Sequence, residues 1–170
     1  MKKALIALGT LIGILAASLL GSAILYAYVF PSQEPHQPVA FNHKLHAGDN
    51  CIPCLFCHIY ANKSRVAGVP SVQKCMGCHS SIKKDSPEVQ KIASYAESGK
   101  PIPWVKVYNV ADYIYFPHNR HLKAGVSCAD CHGDVRNMVR ITRYATPGMG
   151  WCLLCHQKRN GPTDCWACHI

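Results

Sequence analysis

The chain has 170 residues, 49% of them hydrophobic, with eleven cysteines, ten histidines and a formal net charge of +9. That length holds one domain or two small ones and is short for a large multi-cofactor enzyme. The basic excess first suggests nucleic acid, a partner that the cysteine pattern excludes once cofactor charge is counted.

Lys2 and Lys3 precede an uncharged run, ALIALGTLIGILAASLLGSAILYAYVF, over residues 4–30. As a helix its 27 residues span about 40 Å at ~1.5 Å per residue, whereas a bilayer core needs roughly 20 residues. A cleaved signal peptide carries an apolar region of only about 7–15 residues. An uncleaved transmembrane anchor over residues 1–30 is therefore expected. Ala17, Ser18, Gly21, Ser22 and Ala23 leave a cleavage site as the alternative. The two lysines keep the N-terminus cytoplasmic, which puts the rest on the periplasmic face of a bacterial inner membrane. Tyr26, Tyr28 and Phe30 suit the far interface as aromatic anchors. Gly9, Gly13 and Gly21 offer small-residue packing to another helix, and a lone anchor in lipid fits the pattern equally well.

Residues 31–40 begin PSQEPHQP and read as a Pro-rich linker. Phe41-Asn-His43-Lys-Leu-His46 follows, and Phe116-Pro-His118-Asn-Arg-His121 repeats its spacing. Phe-x-His-x-x-His leads a Cys-x-x-Cys-His run by 13 residues from Phe41 to Cys54, and by 12 from Phe116 to Cys128. This internal repeat divides a domain over 41–170 into halves at 41–100 and 101–170. Between them, Ser86–Ser98 has helical spacing, with Ser86 as N-cap and Pro87 at the first helical position. Residues 101–116 are aromatic and β-branched, so an extended segment is expected, either core against cofactor faces or a docking surface. Elsewhere the expectation is a mainly irregular fold with small α-helices around the cysteine motifs.

The motifs are Cys54-Leu-Phe-Cys57-His58, Cys75-Met-Gly-Cys78-His79, Cys128-Ala-Asp-Cys131-His132, Cys152-Leu-Leu-Cys155-His156 and Cys165-Trp-Ala-Cys168-His169. Cys-x-x-Cys-His is the attachment signature of c-type haem: two thioethers hold the porphyrin edge and the next His reaches the iron. Five copies use ten of the eleven cysteines. Zinc needs tetrahedral Cys/His sets and does not require His after every second cysteine. Five c-type haems are therefore expected. The 140 residues after Phe30 give 28 per motif, too few to wrap each haem separately, so the haems must form much of the core. Without Lys2 and Lys3, sixteen basic side chains face nine acidic ones. Two propionates against a ferric core make each haem about −1, so the loaded domain falls near about +2 and the case for nucleic acid disappears.

His58, His79, His132, His156 and His169 are the proximal iron ligands. His43, His46, His118 and His121 are placed to be distal ligands, because each pair sits at i and i+3 beside a motif. His36 lies in the linker and reads as a surface residue. Four histidines for five irons leave a vacancy that methionine, the other common axial ligand, can fill. Met149, expected in a turn, is the first choice and Met138 the runner-up; His36 or an open iron are the alternatives. Methionine raises the potential of its haem. Cys51 lacks a following His and reads as a buried free thiol, with a partner disulfide or an irregular haem link as alternatives.

The paired-histidine lead before Cys-x-x-Cys-His resembles the class III multihaem cytochromes c. That resemblance implies that the first His of a pair serves the next haem and the second a later one. His43 would then face His58, His46 face His79, His118 face His132, and His121 face His156, leaving Met149 for the His169 iron. The anchor, the division of motifs into two and three, Pro-Ile-Pro-Trp104 running into Tyr-Phe-Pro-His118, and Met149-Gly-Trp-Cys152 resemble the pentahaem subunit of alternative complex III over nearly the whole chain. The resemblance implies an electron-transfer subunit with no catalytic residue and no quinol site of its own. Its implied partners are iron–sulfur and integral membrane subunits that oxidise menaquinol, and a soluble carrier or oxidase, in a respiratory or photosynthetic chain. A multihaem reductase of nitrite or a similar oxyanion would need a vacant iron, often marked by Cys-x-x-Cys-Lys, which does not occur here. A membrane-anchored multihaem quinol dehydrogenase feeding a periplasmic reductase shares the anchor and the motifs and stands as the alternative.

Overall fold

A computed structural model describes residues 2–29 and 34–169, which belong to two compact units divided after Gln33. In the first, α1 (Lys2–Val29) is one unbroken helix. Its segment Leu5–Tyr26 has a mean hydropathy of 2.1 and is wholly exposed, so it is long and apolar enough to cross a membrane. It has no polar face to turn to water. The hydroxyls of Thr10, Ser18 and Ser22 donate to the carbonyls of Ala7, Leu15 and Leu19 at 2.8–2.9 Å. Each polar side chain in mid-helix is thus satisfied internally, as hydrocarbon surroundings require. The expected anchor Phe30 and the side chain of Tyr28 lie outside the described residues.

The second unit is mostly short helix and irregular chain: α2 (Cys54–Cys57), α3 (Val72–His79), α4 (Pro87–Ser98), α5 (His118–Lys123), α6 (Cys128–His132) and α7 (Met149–Lys158). A π-helical turn at Lys44–Asp49 and 3-10 turns at Val135–Asn137 and Cys165–Ala167 complete it. The expected class of fold is the one found. Among the described residues there is no strand; Ile114 and His169 form an isolated antiparallel bridge. The segment 101–116 therefore has no continuous partner, yet its first part is core, with Ile102 and Val107 buried.

α4 starts as its sequence suggests, with Pro87 in the first turn, and stops at Gly99, whose φ of +66° a glycine adopts without strain. Ser86 precedes it in extended conformation without making a side-chain cap bond. α4 packs on α3 through a cluster of Val39, Val72, Ile92 and Ile102, flanked by Cys75, Met76, Tyr95, Ala96 and Trp104. The presence of Val39 there is unexpected, because it comes from the stretch read as linker. Gln37 exchanges two 2.9 Å hydrogen bonds with the Val105 backbone, and the Ala40 N–H donates to Glu88 Oε2 at 2.6 Å. From Glu34 onward this segment is a strap belonging to the second unit. Its polar residues and prolines conceal a single apolar anchor.

Among the described residues seven hydrophobic side chains are buried, with Pro117 and Gly133 besides, and no polar or charged residue is. So small a core in a unit of this length leaves the faces around the cysteine motifs short of apolar partners, which bound porphyrins would supply.

Candidate haem sites

Each motif opens in a helical turn: α2, α6 and the turn at Cys165 begin on the first cysteine, while α3 and α7 carry theirs within. Cysteines at i and i+3 then share one face, with the histidine adjoining it. α6 is fixed by a capping box in which Ser127 and Asp130 satisfy each other's backbone N–H groups.

The two Phe-x-His-x-x-His segments have the same three-ring geometry. Phe41 meets His43 edge-on at 4.8 Å and stacks on His46 at 4.4 Å. Phe116 meets His118 edge-on at 4.9 Å and stacks on His121 at 4.4 Å. One phenylalanine thus orients two imidazoles on different bearings, so each pair can serve two separate irons.

Backbone carbonyls hold one nitrogen of six histidine rings. Nδ1 contacts Asn42 O for His46, Gly68 O for His58, Ile82 O for His79, Arg65 O for His118, Pro117 O for His121 and Pro162 O for His156. A carbonyl can only accept, so Nδ1 carries the proton and Nε2 keeps a free lone pair, the tautomer that an iron ligand needs. His132 and His169 are braced instead by tyrosines, Tyr108 edge-on at 4.6 Å and Tyr113 stacked at 5.8 Å. The Nδ1 of His43 is buried without a partner. Burial foremost, then the His58 and His46 rings, lowers His43 to about 4. Burial likewise lowers His132, with His118 and His58 adding to the effect. Both shifts favour the neutral ring that an iron ligand needs.

Ring spacing tests whether an iron fits. A metal–imidazole bond of about 2.0–2.1 Å, plus about 1.1 Å from nitrogen to ring centre, sets two axial imidazoles about 6.3 Å apart. The rings of His46 and His79 stand 6.0 Å apart, and those of His121 and His156 also 6.0 Å. His58 lies near enough to His43 to help lower it, and His118 near enough to His132 to do the same. The residues present fit c-type haem held between opposed histidines.

No disulfide joins any of the eleven cysteines. Burial, the largest cause in each case, raises Cys57, Cys75, Cys128, Cys131 and Cys152. Neighbouring motif thiols add to it, among them Cys54 beside Cys128.

Two family descriptions match this arrangement: "Class III cytochrome C family" over residues 29–101 and "Cytochrome c7 and related cytochrome c" over residues 114–170. The "Menaquinone reductase, multiheme cytochrome c subunit" of Nitratidesulfovibrio vulgaris is 30% identical over 172 aligned positions, which cover 84% of this chain and 82% of that protein. The chain belongs to the multihaem class III cytochromes c. Covalent c-type haem is the cofactor of such cytochromes, and electron transfer is their role.

Other residues of this cytochrome need correction or placement. Met149, expected in a turn, is the first residue of α7 and is 65% exposed. It stands one helical turn before Cys152, whose thiol is close enough to Cys168 to be raised by it. Met138 lies beside a different place: its carbonyl accepts the Lys44 N–H at 2.9 Å, next to the turn carrying His43 and His46. His36 is exposed. Cys51, expected to be buried, is exposed, with φ +53° and its Sγ 3.4 Å from Gly48 O. It ends the π-helical turn on the surface, where no apolar neighbours cover it. The carbonyl partner of His118 could not be found from sequence, because Arg65 lies 53 residues away, whereas those of His46, His79, His121 and His156 lie within six residues of their rings.

Proposed function

We propose that this chain is the electron-transfer subunit of a membrane quinone-linked oxidoreductase complex and carries five covalent haems. The observation that carries this reading is the opposition of His46 to His79 and of His121 to His156 at 6.0 Å. Two imidazoles fill both axial positions of an iron, so no coordination site is left for a substrate. Haem so held supplies a one-electron ferric/ferrous couple. Cys54 and Cys57, Cys75 and Cys78, Cys128 and Cys131, Cys152 and Cys155, and Cys165 and Cys168 are the thioether residues. His58, His79, His132, His156 and His169 are the proximal ligands; His43, His46, His118 and His121 are the distal ligands of the first four. Met149 is assigned to the fifth, because it stands one helical turn before Cys152, whose thiol neighbours Cys168, while Met138 adjoins a turn whose histidines are already assigned. α1 anchors the chain in a bacterial inner membrane, with the haem unit on the periplasmic side.

The finer reading is an alternative complex III-like assembly that oxidises menaquinol. There the partners are iron–sulfur and integral membrane subunits and a soluble carrier or oxidase. A high-potential His/Met iron supports that direction, since it favours electrons leaving quinol. The name of the Nitratidesulfovibrio relative favours a second reading, in which the same path delivers electrons to menaquinone.

Anaerobic mixing of the intact complex with menaquinol separates these readings. Haem reduction by menaquinol, followed by reoxidation with a soluble acceptor, is expected. Reduction by a soluble donor only, with electrons then passing to menaquinone, would establish the second reading. Menaquinol oxidation by the purified subunit alone would overturn the assignment of this chain as a relay.

A further inference from the structure

The motif order along the chain is not the order of the attachment sites in space. α3 reaches the first motif through Lys74, whose Nζ lies 3.7 Å from the centre of the Phe56 ring, between Cys54 and Cys57. The second motif therefore adjoins the first. The first motif in turn adjoins the third, because the Cys54 and Cys128 thiols lie side by side. Backbone packing brings those two regions together. The Lys44–Asp49 turn meets the Val135–Asn137 turn so closely that a Cβ on Gly48 would collide with the Arg136 carbonyl. The His118 and Asn119 N–H groups donate to Arg65 and Ser64 at 3.0 and 3.2 Å.

The third motif meets the fourth through a 2.8 Å ion pair of Asp130 on α6 with Arg159 just beyond α7. Cys131 also faces Cys155 and Cys152. The fourth meets the fifth because the chain doubles back over His156. Gly161 N–H donates to the His156 carbonyl at 2.7 Å, and Pro162 O holds His156 Nδ1. Cys165 follows Pro162 by three positions, a reach of about 10 Å at most, and Cys168 ends close to Cys152.

We infer that the five attachment sites form one unbranched series in the order second, first, third, fourth, fifth. The Cys75–His79 and Cys165–His169 sites are its two ends, and the first and third sites are neighbours where the two halves meet. The inference rests on the five-haem reading and adds to it the positions where electrons enter and leave. Those positions are α3, with Lys74 and His79, at one end and the C-terminal turn, with exposed Trp166, at the other.

The test is to locate the five irons in the haem-loaded complex by electron cryomicroscopy, and to count haems per chain by intact mass. The expected result is that the Cys128–His132 iron has the Cys54–His58 and Cys152–His156 irons as nearest neighbours. The Cys75–His79 and Cys165–His169 irons should have one near neighbour each. Five irons in any other succession overturn the order and leave the five-haem reading standing. Fewer than five haems by mass overturn both.

Discussion

His121→Ala bears directly on the opposed-histidine geometry. In the folded chain the substitution removes a ring stacked at 4.4 Å on Phe116 and an Nδ1–H donated to Pro117 O at 2.9 Å. The aromatic pair contributes about 0.5–1.5 kcal/mol and the hydrogen bond about 0.5–1.5 kcal/mol. Polypeptide terms alone thus cost about 1–3 kcal/mol, which a domain of this size survives. The larger effect falls on one iron. With His156 and His121 rings 6.0 Å apart, the variant loses one axial ligand, and one haem of five becomes five-coordinate. Electron paramagnetic resonance of the oxidised protein should show about one-fifth of the iron converted from low to high spin. His46→Ala should do the same at the haem facing His79. Removing Cys152 and Cys155 first identifies the affected haem: in that background His121→Ala should add no high-spin iron, as two changes at one site are not additive. An unchanged low-spin spectrum in His121→Ala, or a further high-spin signal in the cysteine-deleted background, would refute the pairing.

Three other outcomes are expected. Met149→Leu should lower the potential of a single haem or convert it to high spin in a redox titration, with Met138→Leu leaving all potentials in place; five unchanged potentials exclude Met149 as a ligand. Gly133→Ala places a Cβ 2.7 Å from the Tyr144 ring at a φ of +69°, costing about 1–3 kcal/mol in backbone strain and about 1–3 kcal/mol in crowding. Tyr144 N–H is bonded to the Tyr108 hydroxyl, and Tyr108 braces His132; denaturant titration should therefore show a loss of about 2–6 kcal/mol, and wild-type stability would count against this chain of contacts. Glu88 is held below the usual carboxylate range by Lys91 first and then by the Ala40 N–H. A carboxyl lowered by folding stabilises above its unfolded value, and that contribution disappears as pH falls through the lowered one. Glu88→Gln should cost under about 1 kcal/mol at pH 7, since the pair is exposed, and nothing once wild-type Glu88 is itself protonated; an equal cost at both pH values contradicts the mechanism.

Sequence legibility followed the range of the interactions. The apolar first helix, α4 with Pro87 and Gly99, and the cysteine motifs depend on neighbours within a few residues, and all could be read directly. The strap at Gln37 and Val39 could not: its partners are Val105 and the α3–α4 face, and nothing local distinguishes it from linker. Met149 was read as a turn because Pro147 and Gly148 precede it, yet those two residues end a loop and open α7. The aromatic and β-branched residues of 101–116 suggested an extended segment, but a strand needs a continuous partner edge and in this segment only Ile114 finds one, at His169.

By itself the sequence determined the cofactor chemistry, because Cys-x-x-Cys-His places two thiols and an imidazole on one helical turn whatever surrounds it. It also determined that the first helix is apolar on every side. Tertiary structure decided which imidazoles come near one another, which carbonyl fixes the His118 tautomer, and which motif turns meet. Those depend on residues such as Arg65 and His118, or Cys54 and Cys128, that are distant in the chain and meet only after folding. Spacing along a chain prescribes which groups share a turn; the meeting of two turns depends on packing of the whole unit.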